Sequence, residues 1–78
     1  MKDVLILGSG CAKCKMLEEK VRQIVAQHSL EAEVVKITDL NVIMGYGILS
    51  TPGLVIDGEV KCSGSIPKDD QILAWLKG

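Results

Sequence analysis

The sequence has no phenylalanine, and one tryptophan and one tyrosine are its only aromatic residues. A core must therefore be assembled from valine, isoleucine and leucine. No segment approaches the ~20 consecutive apolar residues of a membrane-spanning helix. The apolar stretch nearest the start, "VLIL" at 4–7, is too short for the core of a secretory signal, and no small-residue cleavage site follows it. Basic runs are missing too: 9 Lys and Arg against 10 Asp and Glu leave a formal net charge of -1, without the basic footprint of a nucleic-acid-binding surface. Three cysteines, an odd count, do not read as a secreted disulfide scaffold. The expectation is a cytoplasmic protein that engages neither membrane nor nucleic acid.

What is present is an ordinary globular composition, 47% hydrophobic and 24% charged, which favours a compact core over disorder. The 78 residues, 1–78, read as a single domain without repeat, linker or low-complexity segment. A chain of this size buries roughly 60% of its unfolded surface, which leaves little room for a second module.

Val4 to Leu7 is a continuous aliphatic run closed by Gly8, the pattern of a strand covered on both faces. From Ala12 the period changes: Leu17, Val21, Ile24, Val25 and His28 recur at helical spacing, predicting a helix of about four to five turns. "EVVKI" at 33–37 predicts a second strand, parallel to the first across a βαβ unit. Asp39 can cap a short second helix with Leu40, Ile43 and Met44 on its apolar side and Gly45 and Gly47 closing it. Leu54 to Ile56 and Glu59 to Ser63 form an antiparallel hairpin around Asp57-Gly58. A last helix starts at Pro67, with Asp69 and Asp70 in its first turn and Ile72, Leu73 and Leu76 buried. Trp75 is expected at its margin. The order is β-α-β-α-β-β-α: an α/β fold with a four-stranded mixed sheet and helices on both faces.

"GSGCAKCK" at 8–15 lies between the first strand and the first helix, and three chemistries compete for it. Gly8 and Gly10 open a dinucleotide-binding fingerprint, and Asp39 stands where a ribose-binding acid would, but the third glycine position is Lys13 and no phosphate loop follows. The glycines then serve the sharp turn from strand to helix.

Cys11 and Cys14 can also chelate a soft metal, with His28 and Cys62 as the other available ligands. One site using all four is excluded if the helix is unbroken, because Cys14 and His28 then stand about 21 Å apart at 1.5 Å per residue. His28 is better placed as a helix-end residue favoured by the dipole. Small heavy-metal carriers of ferredoxin-like fold share a Cys-x-x-Cys after their first strand, but their order is β-α-β-β-α-β; here the hairpin follows a second helix and the last element, "PKDDQILAWLKG", is helical.

The third chemistry is redox. A thiol at a helix N-terminus faces unpaired N–H groups and partial positive charge, both of which favour thiolate. Cys14 lies one turn further on the same side, a spacing that lets the pair close a disulfide. Lys13 and Lys15 add positive charge, screened where exposed, so Lys13 is a candidate tuner of thiolate acidity. Cys11, nearer the helix end, is expected to attack a substrate disulfide, and Cys14 to resolve the mixed disulfide.

"CAKC" after a strand, "GYGILSTPGLVIDGEV" in the second half and "GSIPKDDQILAWL" at the end resemble the thioredoxin superfamily in order and spacing, over nearly the whole chain. The likeness is to minimal thioredoxin- or glutaredoxin-like members without the extra N-terminal strand and helix. It implies a thioredoxin fold and a thiol-disulfide oxidoreductase with no bound cofactor. Its substrates would be protein or small-molecule disulfides, with electrons drawn from a thioredoxin reductase-like flavoprotein or a low-molecular-weight thiol. It also implies a cis peptide bond before Pro52, a Thr51-Pro52 loop that binds an extended substrate strand and keeps metals off the thiols, and Gly64 opening the peptide groove. The sequence departs from the family where Gly10 replaces the usual tryptophan before the first cysteine, where Ala12-Lys13 replace Gly-Pro, and where "VLILG" offers no buried acid to take the proton of Cys14. A soft-metal or iron-sulfur binding or trafficking protein using the same two thiols is the alternative.

Cys62 shares a strand face with Val60 if the strand is regular, which makes it a core thiol; the other reading is a third redox thiol near Gly64. Tyr46 is expected to pack locally, with a groove contact as the weaker reading, and Met16 to join either the core, the commoner place for methionine, or the groove rim.

Overall fold

The computed structural model describes residues 2–8 and 10–77. Its elements are β1 (Lys2–Leu7), α1 (Ala12–Gln27), β2 (Ala32–Ile37), α2 (Leu40–Gly45), β3 (Gly53–Ile56), β4 (Glu59–Ser63) and α3 (Asp69–Lys77), in the expected order. The four strands form one mixed sheet in the order β2-β1-β3-β4. β1 pairs parallel to β2 and antiparallel to β3, and β3 pairs antiparallel to β4.

The aliphatic runs become the two inner strands because both of their faces are covered. Every residue of β3 is buried. Val4, Ile6, Leu54 and Ile56 point to one side, where they meet Leu17, Val21 and Ile24 of α1 and Ile72 and Leu76 of α3. Leu7 and Val55 point to the other side and meet Ile43 of α2, with Leu5, Ile37, Tyr46 and Ile48 around them. Both faces of the sheet thus carry a helical layer, and Tyr46 packs locally as its sequence context implied.

Asp57 and Gly58 both have positive φ, 51° and 83°. That pair of left-handed residues is what a two-residue hairpin with right-handed strand twist requires. The Asp57 carboxylate also accepts from the Asp3 backbone N–H at 2.9 Å, tying the turn to the start of β1.

Three details differ from expectation. In α2 only Ile43 is buried, while Leu40 and Met44 are 61% and 69% exposed. A helix of six residues makes fewer than two turns, so one residue reaches the sheet, and Tyr46 and Ile48 complete the contact from the following chain. Pro67 stands two residues ahead of α3 rather than at its first position, and the carbonyl of Lys68 accepts the helix's opening bond from Ile72. In β4 the pairing slips: Leu54 faces Cys62 but Val55 faces Val60. Lys61 is the extra residue of a β-bulge, so Cys62 and Val60 oppose consecutive residues of β3 and point to opposite faces. Cys62 therefore packs with Leu54 on the α1/α3 side, and Val60 does not share that face.

Candidate active site at the end of the central strand

β1 stops at Leu7 and the Gly8 N–H makes one more sheet-like bond, to the carbonyl of Ile37 at 2.9 Å. The chain then turns through Gly10, at φ 89°, a conformation that costs a residue with a side chain. Cys11 follows in extended conformation as the N-cap of α1, and its Sγ accepts the Cys14 backbone N–H at 3.2 Å. A thiol sulfur here fills the position that an oxygen side chain takes in most caps, answering one of the helix's unpaired donors. That bond, the helix dipole and a first turn without acidic residues all favour negative charge on the sulfur.

Cys11 is exposed and Cys14 is 2% exposed. The two are joined as a disulfide across the first turn, with Cα atoms 5.1 Å apart, inside the ordinary range for a bridge. Lys13 lies exposed between them in sequence. No polar or charged side chain is buried among the described residues, so no carboxyl lies beneath Cys14. Among the described residues there is also no group of three or more His, Cys, Asp or Glu placed to hold a metal ion, and His28 caps the opposite end of α1.

The second half of the site comes from the loop before β3. The Thr51-Pro52 peptide bond is cis and Pro52 is buried. The Gly64 N–H donates to the Pro52 carbonyl at 2.8 Å, and Gly64 itself has φ 77°. The register aligns these pieces: Leu7 pairs with Gly53, and Gly53 with Ser63, so the end of β1, the start of β3 and the end of β4 lie at one end of the sheet. Gly8 is the meeting point. A Cβ placed on it would overlap the Cys14 Sγ, fall 2.9 Å from the Cys14 Cβ and come within 4.0 Å of the Thr51 Cβ.

Cys11, Cys14, Thr51, Pro52 and Gly64 are thus assembled around one end of β1, with Lys13 on the adjoining helical turn. Cys62 is a free, half-buried thiol packed against the core, and burial pushes its pKa up, partly offset by a backbone hydrogen bond with Leu54. Met16, expected in the core, is 57% exposed, because the next residue, Leu17, occupies the inward position on α1. Leu49, two residues ahead of Thr51, is fully exposed. Sequence reasoning missed the spatial role of Gly8, which carried no signal, since a contact with Cys14 is visible only in three dimensions. No helix among the described residues is long and apolar enough to cross a membrane.

A four-stranded mixed sheet with a bridged Cys-x-x-Cys at a helix N-terminus and a cis-proline loop beside it defines the thioredoxin class of fold. The chain matches the thioredoxin domain model over residues 2–77, and it belongs to that family. It is 38% identical over 72 residues to a thioredoxin of Methanothermobacter thermautotrophicus, covering 92% of this chain and 94% of that protein. It is 36% identical over 74 residues to a thioredoxin of Methanocaldococcus jannaschii, covering 95% of this chain and 85% of that one. Family and bridged pair together support a thioredoxin-like redox function.

Proposed function

We propose that this chain is a single-domain, cytoplasmic thiol-disulfide oxidoreductase that reduces protein or small-molecule disulfides through the Cys11–Cys14 couple. The observation that carries the reading is the contrast within the pair: an exposed Cys11 whose sulfur accepts a helix N-terminal N–H, and a buried Cys14 bonded to it. The Cys11 thiolate attacks one sulfur of the substrate disulfide, forms a mixed disulfide and releases the first substrate thiolate, which takes a proton from water. The Cys14 thiolate then attacks the Cys11 sulfur, closing the Cys11–Cys14 bond and releasing the second substrate thiol. Two electrons and two protons pass to the substrate in all. With no carboxyl beneath Cys14 among the described residues, its proton leaves to water or to the departing substrate thiolate.

Thr51 and Pro52 offer the backbone edge on which an extended substrate segment adds as a strand, and Gly64 keeps that groove open. Lys13 raises the local positive potential and favours the Cys11 thiolate, an effect that weakens with salt. A thioredoxin reductase-like flavoprotein or a low-molecular-weight thiol returns the two electrons, and no bound cofactor takes part.

Cys14→Ser tests the reading. Incubated with a disulfide-containing protein, the variant should accumulate a mixed disulfide on Cys11, identified by mass spectrometry of the digested adduct. Absence of any adduct, together with stoichiometric soft metal or iron and sulfide in the purified wild type, would replace it with the metal-binding alternative.

A further inference from the structure

We infer that Gly8 is a positioning residue for the redox couple: by having no side chain it leaves the space in which the Cys14 sulfur sits when bonded to Cys11, and so holds the pair toward the disulfide. This rests on the proposed redox reading and adds a residue to it.

The argument begins from what Gly8 does not need. It is not among the positive-φ residues, whereas Gly10, Gly47, Gly58 and Gly64 are. Its φ therefore does not call for glycine, and its N–H bond to Ile37 can be made by any residue but proline. What calls for glycine is the neighbour. A Cβ on Gly8 would occupy the place of the Cys14 Sγ and lie 2.9 Å from the Cys14 Cβ, closer than non-bonded carbons approach. On its other side the nearest atom among the described residues would be the Thr51 Cβ, at an ordinary 4.0 Å. Gly10, which lies nearer to Cys11 in the chain, has nothing beyond its chain neighbours within 4 Å of its missing Cβ among the described residues. The two glycines of "GSG" therefore do different work: one turns the chain and the other makes room for sulfur.

The two redox states respond differently to a side chain at position 8. In the dithiol the Cys14 Sγ is free to move by rotation about its Cα–Cβ bond. In the disulfide it is bonded to Cys11, and Cys11 is fixed as the helix cap, so neither sulfur can step aside without disturbing the first turn. An added methyl therefore penalises the disulfide more than the dithiol. The equilibrium concerned is protein disulfide plus a small dithiol reductant giving protein dithiol plus oxidised reductant, with two electrons and two protons transferred to the protein sulfurs. A residue that merely supports the fold destabilises both states alike and leaves this equilibrium where it is.

The test is Gly8→Ala, equilibrated with dithiothreitol mixtures of graded oxidised-to-reduced ratio and read by alkylation and mass spectrometry. The variant should be about tenfold easier to reduce than wild type, equal to a shift of ~30 mV toward the oxidising side for a two-electron couple. An unchanged equilibrium constant with the wild-type couple reversible overturns this inference alone. A wild type showing no reversible Cys11–Cys14 bridge overturns the functional reading as well. Should oxidised Gly8→Ala fail to fold, the same variant held in excess dithiothreitol decides: recovery of the folded state on reduction supports the inference, and failure to fold in both redox states assigns Gly8 a general structural role and overturns it.

Discussion

Gly64 stands at left-handed φ 77°, beside the cis-proline loop, and its replacement by alanine separates two physical effects that a sequence comparison would merge. The first is backbone strain, about 1–2 kcal/mol for an L-residue with a Cβ in the left-handed region. The second is steric: the new Cβ would lie 2.8 Å from the Ser50 Cβ and 3.4 Å from its Oγ. The nearer contact involves a Cβ rigidly attached to backbone, so the Ser50 segment must move. Comparable overpacking costs typically about 1–3 kcal/mol. Gly64→Ala should therefore lose about 2–5 kcal/mol in all, against a total stability of roughly 4–12 kcal/mol for a chain this long at 0.05–0.15 kcal/mol per residue. Urea denaturation of wild type, Gly64→Ala, Ser50→Gly and the double variant measures both parts. Ser50→Gly removes the obstructing carbon but not the strain, so the double variant should be more stable than the sum of the singles by about 1 kcal/mol or more. Because Ser50 adjoins Thr51-Pro52, reduction of a disulfide peptide should fall in Gly64→Ala under conditions where the protein is fully folded. A loss below about 0.5 kcal/mol, the ordinary range for a surface substitution, would refute the steric and backbone reasoning together. Strict additivity would refute the Ser50 contact specifically.

Cys62, whose thiol is pushed up by burial, should react with iodoacetamide far more slowly than Cys11 in the reduced, folded protein at neutral pH; modification at equal rates would show that it is not packed as described. Its stability contribution has a definite sign: the thiol is neutral in both states below the unfolded cysteine pKa of about 8.5, and above it the unfolded chain ionises first, so stability is lost as pH rises through the folded value. Cys62→Ala should reduce that alkaline loss, measured as the slope of unfolding free energy above pH 8.5, and an unchanged slope would count against a buried thiol. Asp57 has its pKa lowered, chiefly by the backbone hydrogen bond from Asp3, so its contribution is present above about pH 4 and disappears as pH falls through the lower folded value. Asp57→Asn keeps a residue tolerant of φ 51° and removes that dependence; the stability gap between it and wild type should narrow as the solution is acidified below pH 4, and a constant gap would show that the carboxylate charge plays no part.

Most of the fold was legible because each element carries its own local signal. Leu17, Val21 and Ile24 recur on one helical face and are all buried, Asp57-Gly58 makes its hairpin, and the two aliphatic runs take the inner strands. What escaped depends on partners. Alternation along "EVKCS" places Val60 and Cys62 on one face, and only the pairing with Leu54 and Val55 reveals the bulge between them. Leu40 and Met44 have the spacing of an inward face, but α2 is too short to lay all of it on the sheet. The two cysteines were legible as a helix-end pair, since Cys-x-x-Cys after a strand is a local pattern. Gly8 was legible only as part of a turn, because the atom it makes room for lies six residues away across that turn.

The assembly of the two halves of the site follows from core patterning rather than from any attraction between them. Cys14 and Thr51 are 37 positions apart, and what sets them on either side of Gly8 is the antiparallel register of β1 and β3. That register pairs Ile6 with Leu54 and Val4 with Ile56, and all four residues face α1 and α3 in the larger core. A slip of one residue would turn Leu54 and Ile56 to the opposite face, where the short α2 buries only Ile43, and would take both side chains out of the larger core against α1 and α3. At about 1.5–3 kcal/mol for each such side chain, the misregistered sheet would forfeit much of the stability available to so small a chain. The same residues that exclude the slip place Gly53 opposite Leu7 and opposite Ser63, and thereby bring Pro52 and Gly64 to the strand end where Gly8 leads into Cys11. The geometry of the redox site is thus held by residues that take no part in its chemistry.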